Sequence, residues 1–387
     1  MKRIVVVGAS LAGVSAVERL RARGFEGELV LAGAEPHRPY DRPPLSKEAL
    51  STGVDAARLE LRDRQWYAEH DVTLKLGHAA TGLDVRDRLV AFADGTTESY
   101  DGLVIATGSA IPRAVAPGTV ELRDLDDARR LDTLFATART VLIIGAGFIG
   151  METAATARRR GLDVTVVDVA AAPMSRAFGA TVGDWFRARH EENGVRVLCS
   201  TGVERLSPTG SGTHAELSTG EVLTADVVLV ATGARPATGW LTGSGVPLGD
   251  GVECEPTLAT GVPGVVAAGD VARWHNGLFG EPMRVEHWTN AVEQGGHAAA
   301  TLLGDARPFE SVPYFWTDQF DAKLRCVGRP GPGDDTEVLL ETERQLVVAY
   351  GRGGRISGAV CVNAAKQLVS LRRAIAERAP FAGLVHS

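Results

Sequence analysis

The 387-residue sequence is short of cysteine, of positive charge and of long apolar runs, and each shortage removes a class of protein. Its four cysteines, Cys199, Cys254, Cys326 and Cys361, lie far apart and form no C-x-x-C. That spacing suits idle thiols in a reducing cytoplasm better than a disulfide framework or a zinc site. Nine histidines include no pair at H-x-x-x-H spacing, so no metal centre is expected. A net charge of −7 argues against nucleic acid as a partner, since phosphate-backbone binders are usually basic. No apolar stretch approaches the roughly 20 residues that span a bilayer, so no membrane association is expected. The first strand begins at once, which leaves no room for a signal peptide.

What is present is glycine, 45 residues of it, placed in turns between apolar runs. Ile4-Val5-Val6-Val7 leads into Gly8-Ala9-Ser10-Leu11-Ala12-Gly13, and Val14 to Arg21 follow at helical spacing. Strand, tight turn and helix in that order put a helix dipole and free backbone N–H groups around one point, where a pyrophosphate fits. Ser10 stands where the G-x-G-x-x-G pattern has its middle glycine, so the turn alone is weak evidence; a tight strand-to-helix turn would read the same. A second strand, Glu28 to Ala32, ends near Glu35, 22 residues after Gly13. This is close to the offset of about 20 at which a Rossmann acid meets ribose hydroxyls, although a solvent-exposed turn acid would also fit.

The same order then repeats. Val141 to Ile144 feed a complete Gly145-Ala146-Gly147-Phe148-Ile149-Gly150, 137 residues after the first copy, and Asp168 ends the next strand 18 residues on. In the first copy Gly95, Asp101 and Ala106 are spaced by six and five; in the second, Gly220, Asp226 and Ala231 repeat that spacing. The strand ends Ala106-Thr107-Gly108 and Ala231-Thr232-Gly233 correspond as well. The repeat is stronger evidence than either glycine motif and predicts two dinucleotide-binding units, hence two nucleotides. The predicted fold class is therefore α/β, with two Rossmann-like domains and a small C-terminal α+β domain.

Other stretches complete the outline. In Tyr40-Asp41-Arg42-Pro43-Pro44-Leu45-Ser46-Lys47 the two prolines predict extended backbone with a helix after them; the plainest alternative makes Ser46 an N-cap and Lys47 a surface charge. Residues 72 to 105 predict a β-hairpin excursion closing on the buried strand Leu103-Val104-Ile105. Val265 to Ala268 run into Gly269-Asp270, a strand expected to return to the first domain. A small-residue helix follows from Ala291 to Leu303. From Pro308 onward an antiparallel meander precedes a helix from Ala364 to about Arg378.

On these segments the chain resembles, over essentially its whole length, the FAD-dependent NADH:ferredoxin reductases that serve bacterial cytochromes P450 and Rieske-type oxygenases. The glycine fingerprints belong to a large flavoprotein superfamily. Pro39 to Lys47, with its P-Y-D-R-P-P-L-S-K reading, and Phe315-Trp316-Thr317-Asp318-Gln319 are narrower; Ala231 to Pro236 and Arg284 to Asn290 match as well. The resemblance implies an FAD domain (1–112 and 240–308) interrupted by an NAD domain (113–239), then a C-terminal domain (309–387). It implies FAD as cofactor, NADH as substrate and a [2Fe–2S] ferredoxin as partner, in a cytoplasmic monomer or weak dimer.

Residue roles follow from the same resemblance. Gly8, Ser10, Ala12 and Gly13 would hold the FAD pyrophosphate, Glu35 the adenosine ribose, and Thr81 the adenine through its backbone. Arg42, Lys47 and Arg123 would lie along the FAD, with Thr107 and Gly108 at a strand end. Asp270 would meet the ribityl chain, and Trp288, beside Glu286 and His287, the flavin pyrimidine edge. Gly145, Gly147, Phe148, Ile149 and Gly150 would take NADH, with Gly233 nearby. Asp168 would accept the ribose 2′-hydroxyl and repel a 2′-phosphate; Val169 to Ala172 offer no arginine for NADPH.

Lys47, Glu152 and Trp316 are the expected catalytic residues. A cation near the isoalloxazine would stabilise the anionic reduced flavin, and Glu152 would pair with it. As alternatives, Glu152 is a first-turn acid favoured by the helix dipole, and Trp316 is core. Disulfide reductases of the superfamily carry a cysteine pair early in the chain, where this sequence reads Arg42 to Lys47 without sulfur. Electrons would then leave the flavin directly. Arg307, Lys323, Arg325 and Arg329 are candidates for docking an acidic ferredoxin. A rubredoxin reductase, an NADH oxidase and a flavoprotein resembling apoptosis-inducing factor remain as alternatives.

Overall fold

The computed structural model describes residues 1–111, 117–210 and 212–382, and the expected domain boundary at 112–113 lies outside them. The chain divides into two compact units. One comprises Met1–Asp41, Ala56–Ala110 and Arg235–Tyr314; the other comprises Arg42–Asp55, Ile111–Ala234 and Phe315–Ser387.

In the first unit the strand Arg3–Val7 is the centre of a five-stranded parallel sheet. Glu28–Gly33 and Gly102–Ile105 flank it, with Val72–Leu76 and Val265–Ala267 at the edges. Near-continuous apolar strands of this kind belong to sheets covered on both faces. The returning strand Val265–Ala267 is where the sequence puts it. The hairpin expectation for residues 72–105 is corrected at its start, because Val72–Leu76 runs parallel to Glu28–Gly33 as a sheet edge. Alternating apolar residues suit a half-covered edge strand as well as a hairpin, so the pattern could not separate the two. The rest of that stretch, Ala80–Asp84, Leu89–Phe92 and Thr97–Ser99, is antiparallel.

The second unit repeats the plan. Thr140–Ile144 is central, flanked by Asp163–Val167 and Val227–Val230, with Arg196–Leu198 and Thr119–Val120 at the edges. It too carries a three-stranded antiparallel excursion, Val203–Thr209, Gly212–Leu217 and Val222–Ala225. The spacing shared by Asp101 and Asp226 has a structural cause. Asp101 Oδ2 accepts the backbone N–H groups of Lys2 (2.5 Å) and Arg3 (3.0 Å), and Asp226 Oδ2 those of Arg139 (2.7 Å) and Thr140 (2.9 Å). Each carboxylate ties down the start of a central strand, and those N–H donors hold both below the usual carboxylate range.

Small residues in the helix Trp288–Leu302 let it lie against the helix Leu11–Ala22. A Cβ on Gly295 would fall 2.2 Å from the Ala12 carbonyl oxygen. The C-terminal residues form a five-stranded sheet containing Tyr314–Gln319, Ala322–Gly328, Asp335–Glu341, Leu346–Arg352 and Arg355–Val362, followed by the helix Ala365–Ala376. It is not a simple meander, since Ala322–Gly328 pairs with Arg355–Val362. This sheet shares an apolar cluster with Phe178, Val182 and Phe186, and Phe315 meets Phe148 edge-on at 4.9 Å.

The proline expectation is also corrected. Pro43–Ser46 is a turn of 3-10 helix, followed by the short helix Glu48–Thr52, so the backbone at the prolines is not extended. A fixed proline φ suits the first turn of a helix equally well.

Burial pushes the imidazoles of His190 and His287 down to about 4 from 6.5. Between those values the unfolded chain binds more protons than the folded one, so stability falls as pH drops from 6.5 towards 4. His190, which is fully buried, contributes on the order of 3 kcal/mol to that loss. Urea unfolding at pH 7 and pH 5 should show a lower midpoint at pH 5. His190→Gln should flatten the difference; an unchanged pH dependence would remove His190 as a cause.

Candidate active site

Four parallel strands of the first unit end on one edge, and the sequence motifs sit at those ends. Gly8 N–H donates to Ala32 O (2.8 Å), Ala106 N–H to Val7 O (2.7 Å) and Ala268 N–H to Ile105 O (2.9 Å). These bonds bring the glycine turn, Thr107-Gly108 and Gly269-Asp270 side by side. The turn is tight because a Cβ on Gly8 would fall 2.0 Å from Ala106 O, and one on Gly13 would fall 2.1 Å from Gly8 O. Gly8 also has a φ of +122°. Such a crevice at the carboxyl ends of parallel strands is where dinucleotides bind.

The second unit matches it closely. A Cβ on Gly145 would fall 2.4 Å from Ala231 O, and one on Gly150 2.0 Å from Gly145 O. At Gly147, the counterpart of Ser10, a Cβ would meet nothing within 4 Å. Ser10 itself has extended backbone, φ −139°, which any residue adopts. The departure from the glycine pattern thus falls at the one fingerprint position where the fold leaves room for a side chain. Each turn ends in a helix start, whose unpaired N–H groups suit a pyrophosphate.

The two strand-end acids are held in place. Tyr40 Oη donates to Glu35 Oε2 (2.5 Å). Asp168 accepts Ala146 N–H on Oδ2 (2.6 Å) and Ala170 N–H on Oδ1 (2.7 Å), which fixes the carboxylate beside the second glycine turn with lone pairs left for ribose hydroxyls. Asp270 accepts Ser109 Oγ (3.1 Å), and Arg284 donates to the Asp270 carbonyl (3.1 Å) and to Glu286. Trp288 Nε1 donates to Asp41 Oδ1 (2.8 Å). His287 precedes Trp288 as the residue capping its helix. Thr107 Oγ1 donates to Ala237 O (2.9 Å). Thr81 is exposed at a register shift in its strand, where an unpaired backbone is expected. Gly269 N–H donates to Gln294 Oε1 (2.9 Å), while the buried Nε2 of Gln294 has no hydrogen-bond partner among the described residues. An orphaned donor beside Asp270 is what a bound polar cofactor would satisfy.

In the second unit the 3-10 turn delivers Lys47 to Glu152. Lys47 Nζ lies 2.9 Å from Glu152 Oε1 and donates to Pro43 O (3.1 Å). Glu152, only 6% exposed, also accepts Ser46 Oγ on Oε2 (2.5 Å) and Thr317 Oγ1 on Oε1 (2.6 Å). Ser46 is therefore a carboxylate donor, not a helix cap, and Lys47 is not a free surface charge. Removing one partner from a buried pair typically costs about 3–5 kcal/mol, because the other charge is stranded. Arg42 donates to the Arg123 carbonyl (2.8 Å), where a capping box between Asp124 and Asp127 starts a helix. Trp316 is half-buried on the strand that carries Thr317. Among the docking candidates, Arg307 is paired with Asp305 and Arg325 with Asp318.

Sequence reasoning gave no role to Ser46, Thr317, Gln319, Tyr40, Asp41 or Gln294. The first five stand in the two narrow segments, which was the available signal; Gln294 had none. All four cysteines are unpaired thiols. Burial raises each of them, Cys254 and Cys361 to about 12, so they are not poised as thiolates.

Comparison with known proteins agrees with this geometry. Residues 2–295 match the pyridine nucleotide-disulphide oxidoreductase family and residues 314–383 the reductase C-terminal family. Rhodocoxin reductase of Rhodococcus erythropolis is 35% identical over 98% of this chain and 90% of its own length. The ferredoxin–NAD(+) reductase component of the anthranilate 1,2-dioxygenase system of Burkholderia cepacia is 36% identical over 96% and 93%. The crystal structure of the ferredoxin reductase for the CYP199A2 system of Rhodopseudomonas palustris superposes with a TM-score of 0.92 at 33% identity, covering 98% of this chain and 96% of that one. Putidaredoxin reductase in its covalent complex with putidaredoxin gives 0.93 at 30% identity, covering 98% and 94%. With two glycine turns, Lys47 paired with the buried Glu152 and no reactive thiol, the chain belongs to the ferredoxin reductase branch of the pyridine nucleotide-disulphide oxidoreductases, the branch that ends in a reductase C-terminal domain.

Proposed function

We propose that this oxidoreductase takes a hydride from NADH onto FAD and hands electrons singly to a [2Fe–2S] ferredoxin that feeds a cytochrome P450 or Rieske-type oxygenase. The observation that carries the reading is the segment Arg42 to Lys47. Where disulfide reductases place sulfur it carries a lysine, and that lysine is paired with a buried glutamate. The relatives named above, reductases of ferredoxin-dependent systems, support the choice of acceptor.

FAD, when bound, supplies an acceptor for a hydride and a donor of single electrons. Gly8, Ser10, Ala12 and Gly13 would hold its pyrophosphate, Glu35 its ribose and Thr81 its adenine. Arg42, Arg123, Thr107, Gly108, Asp270, Glu286, His287 and Trp288 would line the remainder. Gly145, Gly147, Phe148, Ile149, Gly150 and Gly233 would orient NADH, so that its nicotinamide is presented rather than found by diffusion. Lys47 provides fixed positive charge for the reduced state, and Glu152 keeps that charge in one place. Trp316 shields the reacting region from water. With no reactive thiol, electrons have no disulfide relay and pass directly to the partner.

Three measurements test this. Anaerobic NADH should bleach the flavin, and mixing with [2Fe–2S] ferredoxins should reoxidise it with reduction of the cluster. Bleaching followed by reoxidation only with oxygen would identify an oxidase instead. For the nicotinamide, Asp168→Ala should narrow the NADH-over-NADPH preference in kcat/KM by about tenfold, the effect of losing one or two hydrogen bonds. An unchanged ratio would overturn the role of Asp168. For docking, turnover with an acidic ferredoxin should fall steeply as salt rises from about 0.05 to 0.5 M, while NADH–ferricyanide turnover stays level. Equal salt dependence of both would exclude electrostatic docking.

A further inference from the structure

Behind Glu152 runs a row of buried polar side chains that hydride transfer itself does not require. His190 Nε2 lies 3.0 Å from Gln319 Oε1, Gln319 Nε2 donates to Thr317 Oγ1 (3.1 Å), and Thr317 Oγ1 donates to Glu152 Oε1 (2.6 Å). Thr317 and His190 are 0% exposed and Gln319 is 1% exposed. Three elements contribute: the helix Ala180–Glu192, the strand Tyr314–Gln319 and the helix Phe148–Arg159. Burying so many polar groups in series is costly unless each is satisfied, and apolar residues would fill the same space more simply.

The row has a direction. Gln319 Nε2 also reaches Met174 Sδ at 3.6 Å. A thioether sulfur only accepts, so the amide nitrogen must face Met174 and Thr317, and the amide oxygen must face His190. His190 then carries its proton on Nε2. Its Nδ1 is buried without a hydrogen-bond partner among the described residues, which an acceptor nitrogen tolerates better than a donor N–H would. Burial holds His190 near 4, so it is neutral at pH 7. Thr317, already accepting from Gln319, has its single hydrogen left for Glu152. Every donor in the row therefore points towards the carboxylate, and chained dipoles of one sense strengthen one another.

We propose that Thr317, Gln319 and His190 are positioning residues that keep the Glu152 carboxylate charged and aimed at Lys47, so that the lysine stays cationic for flavin reduction. This rests on the reading of Lys47 and Glu152 given above. None of the three touches a reacting atom; they act through Glu152. The glycine turn Gly145 to Gly150 starts the helix that carries Glu152, but the row is bonded to Glu152 and not to the turn, so losing it should change the rate of hydride transfer and the flavin potential rather than NADH affinity.

The experiment compares the wild type with Thr317→Val, Thr317→Ser and Gln319→Leu. In the flavin-loaded protein, T317V should slow reduction by NADH about tenfold, the value of one hydrogen bond to a charged group. It should also lower the flavin midpoint potential and leave the KM for NADH within about twofold. T317S, which restores the hydroxyl, should recover both rate and potential, and Q319L should fall between. In the flavin-free protein, nitrogen-15 spectra should show His190 protonated on Nε2, with its N–H resonance displaced in Glu152→Gln. Wild-type rate and potential in T317V, or a proton on Nδ1 of His190, would overturn the proposal. Failure of the functional reading looks different: the wild type itself would pass no electrons from NADH to any ferredoxin, while the nitrogen-15 result would still decide the row. That spectrum also decides it if T317V does not fold.

Discussion

Close approach of backbone to backbone is the constraint on which both glycine turns depend. Gly13 packs against the Gly8 carbonyl and Gly8 against that of Ala106; Gly150 packs against Gly145 and Gly145 against Ala231. In each unit this contact locks the central strand, the helix that follows it and the neighbouring strand end into one corner. A single methyl group at any of these positions would push the helix start away from the strand ends. The carboxylates of Asp101 and Asp226 secure the opposite end of the same central strands. The repeat detected in the sequence is thus the trace of two identical mechanical requirements, one at each end of a strand.

The proposed chemistry rests on a second, unrepeated feature. Glu152 is buried, yet it has donors on both oxygens: Ser46 on one, Lys47 and Thr317 on the other. The donors come from two separated stretches of chain within one unit. A carboxylate so supplied is stable as an anion, and an anion so placed holds a lysine ammonium at a fixed site. In the first unit the counterpart of Glu152, 137 residues earlier, is Ser15, which carries no charge. The duplicated scaffold has been made asymmetric by these few polar residues, and the raised thiols of all four cysteines leave them as the only candidate redox-supporting cluster among the described residues.

Much of this was legible in the chain, for physical reasons that differ by element. The parallel strands read clearly because both faces are covered and the apolar runs are unbroken. Glu35 and Asp168 read from their offset to the glycine turns, since the length of one helix and one strand fixes that distance. Val72–Leu76 was misplaced because alternation describes any half-covered strand, whichever sheet it joins. Pro43 and Pro44 were read as extended because their φ suits two conformations, and only packing chooses between them. What Thr317, Gln319 and His190 do was beyond reach, although the first two stand in a narrow segment: the row is joined by contacts 129 and 165 residues apart in sequence, and a buried threonine or glutamine carries no local pattern.

The most direct test of two equivalent corners serving two different dinucleotides is a matched pair of variants, Gly13→Ala and Gly150→Ala, assayed for bound flavin and for reduction by NADH. The first should be isolated without FAD while still binding NADH by fluorescence titration. The second should keep its FAD, yet NADH should fail to bleach it although dithionite succeeds. Full flavin content in Gly13→Ala, or wild-type bleaching by NADH in Gly150→Ala, would contradict the assignment of the two turns.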